Sequence, residues 1–208
     1  MYLLGKEMVL HATSVRWQPS HRKPTMPSTP QVLQTLTLGG GCFWCLDAVF
    51  VQVRGVVGVE SGYSNGQVVQ PSYDDVCTGT TGCNEVVKLV FDPAQISIRE
   101  ILEIFFVIHD PTTLNRQGND SGTQYRSGIY TSDPEQAVVA REVMAEMVAS
   151  GVYNRPLVTE VLPQQDYWPA EDYHQNFFER NPHQGYCMAV AAPKVAKFRK
   201  TFVRLQKA

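Results

Sequence analysis

The stretch VLQTLTLGGGCFWCLDAVFVQVRGVVGVESGY, residues 32–63, decides the fold. Val32, Leu33, Leu36 and Leu38 suggest an apolar strand that stops at Gly39, Gly40 and Gly41, where three residues without side chains favour a turn over continued pairing. The period then changes. Phe43, Leu46, Val49, Phe50 and Val53 fall near the three- and four-residue spacing of a helix, which predicts a helix over residues 42–53. Residues 56–63 are β-branched and aromatic and return the chain to a strand.

Working outward, residues 86–91 (VVKLVF) read as a second strong strand. Ser97 and Glu100 make a capping box that opens an apolar helix to about His109. Residues 126–130 are strand-like, and Asp133-Pro134 opens a helix to Ser150, with proline in the first turn where its missing N–H is not needed. A strand over 157–162, a short helix over 169–179 and a terminal helix with a basic face over 194–205 complete the pattern. The order β-α-β-β-α-β-α-β-α-α predicts an α+β two-layer sandwich, a central mixed and partly antiparallel sheet flanked by helices around a ferredoxin-like core.

Residues 1–31 differ in composition. They hold Pro19, Pro24, Pro27 and Pro30, with Arg16, Arg22 and Lys23 against a single acid, Glu7. This predicts a flexible basic extension outside a single compact domain at 32–208. Two readings of the extension stay open: a weak organelle-targeting peptide, and a translation start at Met26. The whole chain of 208 residues is 43% hydrophobic, enough for a sizeable core, and its formal charge of -2 offers no concentrated positive field for nucleic acid. No apolar run approaches the roughly 18 residues of a membrane helix, and Lys6 and Glu7 interrupt any secretory segment. Five cysteines are too few and too irregular for a disulfide scaffold. The expectation is a cytoplasmic protein, a monomer with no nucleic-acid or membrane partner, carrying reactive thiols.

The glycine turn places Cys42 at the start of a helix, where orphan N–H groups and the helix dipole favour a thiolate and lower its pKa. The glycines clear space beside that sulfur, and Phe43 and Trp44 offer aromatic surface on which a small apolar group such as a methyl can rest. Cys42 and Cys45 form a C-x-x-C. Helical residues three apart are about 5–6 Å apart at Cβ, compatible with a disulfide. On these residues alone a thioredoxin-like redox pair and half of a zinc site completed by Cys77 and Cys83 compete, the zinc reading weakened by the unusual spacing of the second pair.

Separated blocks now carry a resemblance. They are Gly40-Gly41-Cys42-Phe43-Trp44; Pro71 to Gly79 (PSYDDVCTG); Glu85-Val86-Val87 with Phe91-Asp92-Pro93; His109-Asp110-Pro111 through Asn115 to Asp120 (NRQGND) and Gly122 to Ser127 (GTQYRS); and Ala170 to Gln175 (AEDYHQ) followed by Asn181-Pro182 and Gly185-Tyr186-Cys187. In this order they resemble the A family of peptide methionine sulfoxide reductases over about residues 36–190. The resemblance implies reduction of methionine-S-sulfoxide, free or in proteins, for repair of oxidised proteins, with no bound metal or organic cofactor. It implies that Cys42 attacks the sulfoxide sulfur, that Glu85 gives a proton to the oxygen and needs burial to hold it, that Tyr73 and Tyr125 hydrogen-bond the same oxygen, that Asp120 holds the polar side of the site, and that Phe43 and Trp44 seat the methyl group. The resulting sulfenic acid condenses with a second thiol. Cys45, by local geometry, and Cys187, by its Gly-Tyr-Cys context, are both candidates, as is a relay through both that ends in a disulfide reduced by thioredoxin.

His174 reads as a structural hydrogen-bonder near the site, and Cys77 as a buried small hydrophobe. Two departures from the family stand out: Cys45 where glycine is usual, and Cys83 where histidine is usual, which removes a polar ring near Glu85 and adds a fifth thiol. Three other readings predict different behaviour. A general thiol–disulfide oxidoreductase would be indifferent to Glu85, a zinc-stabilised binding module would carry stoichiometric zinc, and a redox sensor would not turn over.

Overall fold

A computed structural model describes residues 32–207; what was expected of residues 1–31 lies outside the described residues. The glycine turn joins β1 (Gln34–Gly39) to α1 (Phe43–Phe50). Then follow β2 (Val56–Ser64), a short helix α2 (Tyr73–Cys77), β3 (Asn84–Phe91) and α3 (Ile98–Ile108). A two-residue hairpin, β4 (Arg116–Gln117) and β5 (Asp120–Ser121), precedes β6 (Gly128–Thr131), α4 (Pro134–Ala149), β7 (Glu160–Pro163), β8 (Tyr167–Pro169), α5 (Phe177–Arg180) and α6 (Ala192–Thr201).

The main sheet runs β7-β6-β1-β3-β2-β8. Every neighbouring pair is antiparallel except β6 and β7, which are parallel. The α+β architecture with a mixed sheet and flanking helices is therefore as the sequence predicts. Helices α1, α6, α3 and α4 touch in succession, and α1 also packs on β2 and β3.

Strand parity explains how this frame positions the site. Alternate residues of a strand face the same side. In β3, Val87, Leu89 and Phe91 are fully buried, and Leu36 and Leu38 of β1 lie opposite Leu89 and Val87. Glu85 shares that parity, so the alternation that fills the core also aims its carboxyl inward, opposite Tyr63 of β2. The predicted caps form as well. Ser97 Oγ accepts from Glu100 N at 3.2 Å while the Glu100 carboxylate accepts from Ser97 N at 2.9 Å, and Asp133 accepts from Gln136 N at 2.9 Å ahead of Pro134.

Several boundaries differ. The first strand starts at Gln34 because Val32 and Leu33 are exposed. Cys42 caps α1 rather than opening it, and the helix ends at Phe50. The strand expected over 157–162 is displaced to Glu160–Pro163, where it pairs with β6. The helix expected over 169–179 is mostly not one. Pro169 closes β8, residues 172–174 make a single 3₁₀ turn, and Asn176, at φ 51°, interrupts the chain before the one-turn α5. The terminal helix begins earlier and ends sooner, entering through a π-helical turn at Cys187–Ala191 and stopping at Thr201. Helix α2, too short for a period, goes unread although Ser72 and Asp75 form a second capping box.

Candidate active site

Cys42 stands at the N-cap of α1, at φ −56° and ψ 127°, and its side chain caps nothing. The sulfur sits at the positive end of the helix. The Trp44 N–H and the Tyr186 hydroxyl act on it as donors, which favours the thiolate. They do not prevail. Burial pushes the thiol well above its ordinary value, and the charges of Glu85 and Cys45 push the same way. The expected lowering of the Cys42 pKa by the helix end is therefore overturned: at rest it is a thiol, because losing water costs a buried anion more than one N–H and one hydroxyl return.

The glycines serve packing as well as access. A Cβ on Gly40 would lie 2.8 Å from the Phe105 ring, and one on Gly41, at φ +90°, would lie 2.6 Å from Gln117 Cγ. Neighbouring side chains thus fill the space beside the turn.

Glu85 is 1% exposed. Its Oε2 accepts from the Phe43 N–H at 3.2 Å, which fixes the carboxyl against the residue after Cys42. Burial lifts its pKa to about 8 despite that N–H, and Asp120 adds to the rise. At neutral pH Glu85 is mostly uncharged and holds a proton, and its repulsion of a Cys42 thiolate is then relieved. The usual expectation of a solvated glutamate at a strand end fails here because Tyr63 and α1 cover it.

Phe43 is fully buried beside Tyr63, with ring centroids 5.9 Å apart. Trp44 is half-buried and stacks on Phe177 at 3.7 Å, nearly parallel. Its Nε1 donates to His174 Nδ1 at 3.1 Å. That acceptor role puts the proton of a neutral imidazole on Nε2, and burial lowers the His174 pKa and keeps it neutral. His174 is 1% exposed and touches Phe43 and Tyr73 at ring-centroid distances of 4.9 Å and 4.5 Å.

Tyr73 and Tyr125 are both half-buried. Burial raises both phenols, and the Glu85 charge raises them further, so both remain O–H donors. Glu171 ties this region together, accepting from Tyr63 OH at 2.8 Å and from Tyr73 N at 2.9 Å. Burial alone would raise the Glu171 carboxyl, but these donors more than offset it.

Tyr186 is the residue that sequence reasoning quoted without giving a role. Its hydroxyl donates to Asp120 Oδ2 at 2.5 Å, and its oxygen accepts from Cys45 Sγ at 3.8 Å. A thiolate at Cys42 would compete with Asp120 for that single hydrogen. The only available signal was its place before Cys187. Cys45 and Cys187 are fully buried, and each sulfur is near enough to influence the next in the order Cys42, Cys45, Cys187. Cys77 corrects the sequence reading: it is exposed, because on the single turn of α2 it is Val76 that faces the core. Its thiol interacts with the Tyr73 hydroxyl, one turn earlier on the helix. Among the described residues no group of three or more His, Cys, Asp or Glu side chains is arranged to hold a metal ion, and no helix is long and apolar enough to cross a membrane.

A buried cysteine and an uncharged carboxyl at one helix end, flanked by phenolic donors, define a thiol-based oxidoreductase. The chain belongs to the peptide methionine sulfoxide reductases, whose family profile matches residues 34–206; its reaction returns methionine sulfoxide to methionine. It is 58% identical over 173 residues to the peptide methionine sulfoxide reductase MsrA of Polynucleobacter asymbioticus, covering 83% of this chain and 91% of that protein. The MsrA of Deinococcus radiodurans is 47% identical over 199 residues, covering 96% and 95%. Among solved structures, methionine sulfoxide reductase A of Corynebacterium diphtheriae matches with a TM-score of 0.68 at 37% identity, covering 76% of this chain and 78% of that one. Reduced Mxr1 from Saccharomyces cerevisiae matches at 0.70 and 31%, covering 79% and 94%.

Proposed function

We propose that Cys42 is the nucleophile and Glu85 the acid in reduction of the S epimer of methionine sulfoxide, free or in a protein. The observation that carries this is the Glu85 carboxyl held 3.2 Å from the Phe43 N–H, beside Cys42, with burial keeping it protonated. The methyl group rests on Phe43 and Trp44. The sulfoxide oxygen takes hydrogen bonds from Tyr73 and Tyr125 and the proton of Glu85 as the Cys42 sulfur attacks. The thiol proton of Cys42 replaces the one Glu85 gave up. The S–O bond of the substrate breaks, methionine leaves, and the oxygen remains on Cys42 as a sulfenic acid, so one thiol and one sulfoxide become one sulfenic acid and one thioether. Asp120, anchored by Tyr186, keeps the far side of the site polar.

Cys45 resolves the sulfenic acid first in this reading. It lies one helical turn from Cys42 on the same element, while Cys187 is carried by the π-helical turn. Cys187 then exchanges with the Cys42–Cys45 disulfide, and a thioredoxin reduces the product by exchange. No metal or organic cofactor takes part. We place the catalytic domain at residues 32–208 and the enzyme in the cytoplasm as a monomer, with neither nucleic acid nor membrane as partner.

Glu85→Gln tests the assignment of the acid. The variant should lose sulfoxide reduction by about two to four orders of magnitude and retain thiol–disulfide exchange on a small disulfide; equal loss of both activities would reject it.

A further inference from the structure

We propose that Lys194 is a positioning residue for the resolving step: its ammonium charge prepares Cys45 for attack on the Cys42 sulfenic acid. This rests on the reading of Cys45 as resolver. Lys194 lies in α6, close after the π-helical turn that carries Cys187. It is half-buried, and among the described residues it makes no ion pair or hydrogen bond. With Gln117, Asp120, Tyr186 and Val190 it lines a cleft of about 300 Å³ on the side of Tyr186 that faces Asp120. Helix α6 packs on α1, and Tyr186, which lines the same cleft, accepts from Cys45 Sγ at 3.8 Å, so Lys194 and Cys45 lie on either side of one hydroxyl; from there its charge favours a Cys45 thiolate. An ammonium that gives up part of its hydration without a partner lowers its free energy by acting on an anion formed beside it.

The reaction supplies that anion. Cys45 must give up its proton before its sulfur attacks that of Cys42. The Cys42 S–O bond then breaks, two electrons pass from Cys45 to the sulfenic sulfur, and the oxygen leaves as water with the proton of the thiol. Several groups face the Cys45 sulfur. Burial opposes the thiolate, as do Asp120 and Cys187, whereas Lys194 and the Tyr186 hydroxyl favour it. Lys194 is the only cation in that set.

The test uses single turnovers with methionine sulfoxide in a Cys187→Ser background. The sulfenic acid is trapped with dimedone over time, and the bridge is mapped by mass spectrometry. Lys194→Met should form the Cys42–Cys45 bridge about three- to tenfold more slowly at pH 7, with the pH profile of bridge formation moved up by about half to one unit, and Lys194→Arg should restore both. The rate is read against sulfenic acid formation in the same protein. An unchanged rate and profile in Lys194→Met, or an equal slowing of both steps, overturns the role of Lys194 while leaving Cys45 as resolver. Absence of the Cys42–Cys45 bridge with Lys194 intact rejects Cys45 as resolver and the role of Lys194 with it.

Discussion

The β1–α1–β3 frame and the segment from residue 170 to 191 meet around the same sulfur but are built differently. The frame uses regular elements. Strand parity aims Glu85, a helix end presents Cys42, and fully buried Leu36, Leu38, Val87 and Leu89 hold both in place. The later segment has a 3₁₀ turn, a left-handed Asn176, a single helical turn and a π turn, and it contributes His174, Tyr186 and Cys187. The division follows the chemistry. In the proposed reaction the sulfoxide step needs fixed donors and a fixed nucleophile, whereas Cys187, proposed to serve two disulfide partners in turn, would have to change neighbours, and short irregular turns rearrange at lower free energy than a packed sheet.

The strongest test of the contrast is in the frame. Cys42→Ala should cut methionine formation by at least about a thousandfold in a single turnover; an undiminished rate would remove the frame from the chemistry altogether. Next comes pH. Since the proposed role of Glu85 requires its proton and burial lifts its pKa to about 8, sulfoxide reduction should fall as pH rises through about 8, and this limb should vanish in Glu85→Gln. The later segment should behave otherwise. Cys187→Ser should leave the first turnover intact, retain the Cys42–Cys45 bridge and slow only thioredoxin-driven recycling; loss of the first turnover would merge the two regions into one. A smaller effect belongs to Phe177, whose stack on Trp44 should weaken in Phe177→Ala and raise KM for the sulfoxide by about three- to tenfold, the worth of one aromatic pair. The smallest is Asn176→Ala, which should destabilise the fold by about 1 kcal/mol in denaturant titration, because alanine tolerates φ 51° less well than asparagine.

The same division governs what could be read from the sequence. In the frame, each local period agrees with the tertiary structure, so strands, helices and caps follow from the residues, and Cys42 is visible from its glycine turn. Two things there were not visible. The depth of Glu85 depends on Tyr63, 22 positions earlier, pairing across it. The protonation of Cys42 depends on how completely the fold removes water from a site that local geometry alone would have made favourable to an anion. The later segment carries no period that any regular element repeats, so residues 169–179 were read as a helix. Its contacts join residues more than a hundred positions apart, as Trp44 and His174 do. Tyr186 was therefore present as a letter in a motif but not as a group between two sulfurs and a carboxylate.

One close approach has a consequence for the fifth thiol. A Cβ placed on Gly66 would lie 2.2 Å from Cys83 Sγ and 2.6 Å from the Cys83 backbone N, and Cys83 is only 2% exposed. A side chain at position 66 would therefore strike the Cys83 main chain as well as its sulfur, so glycine there lets the loop before β3 close down on the fifth thiol.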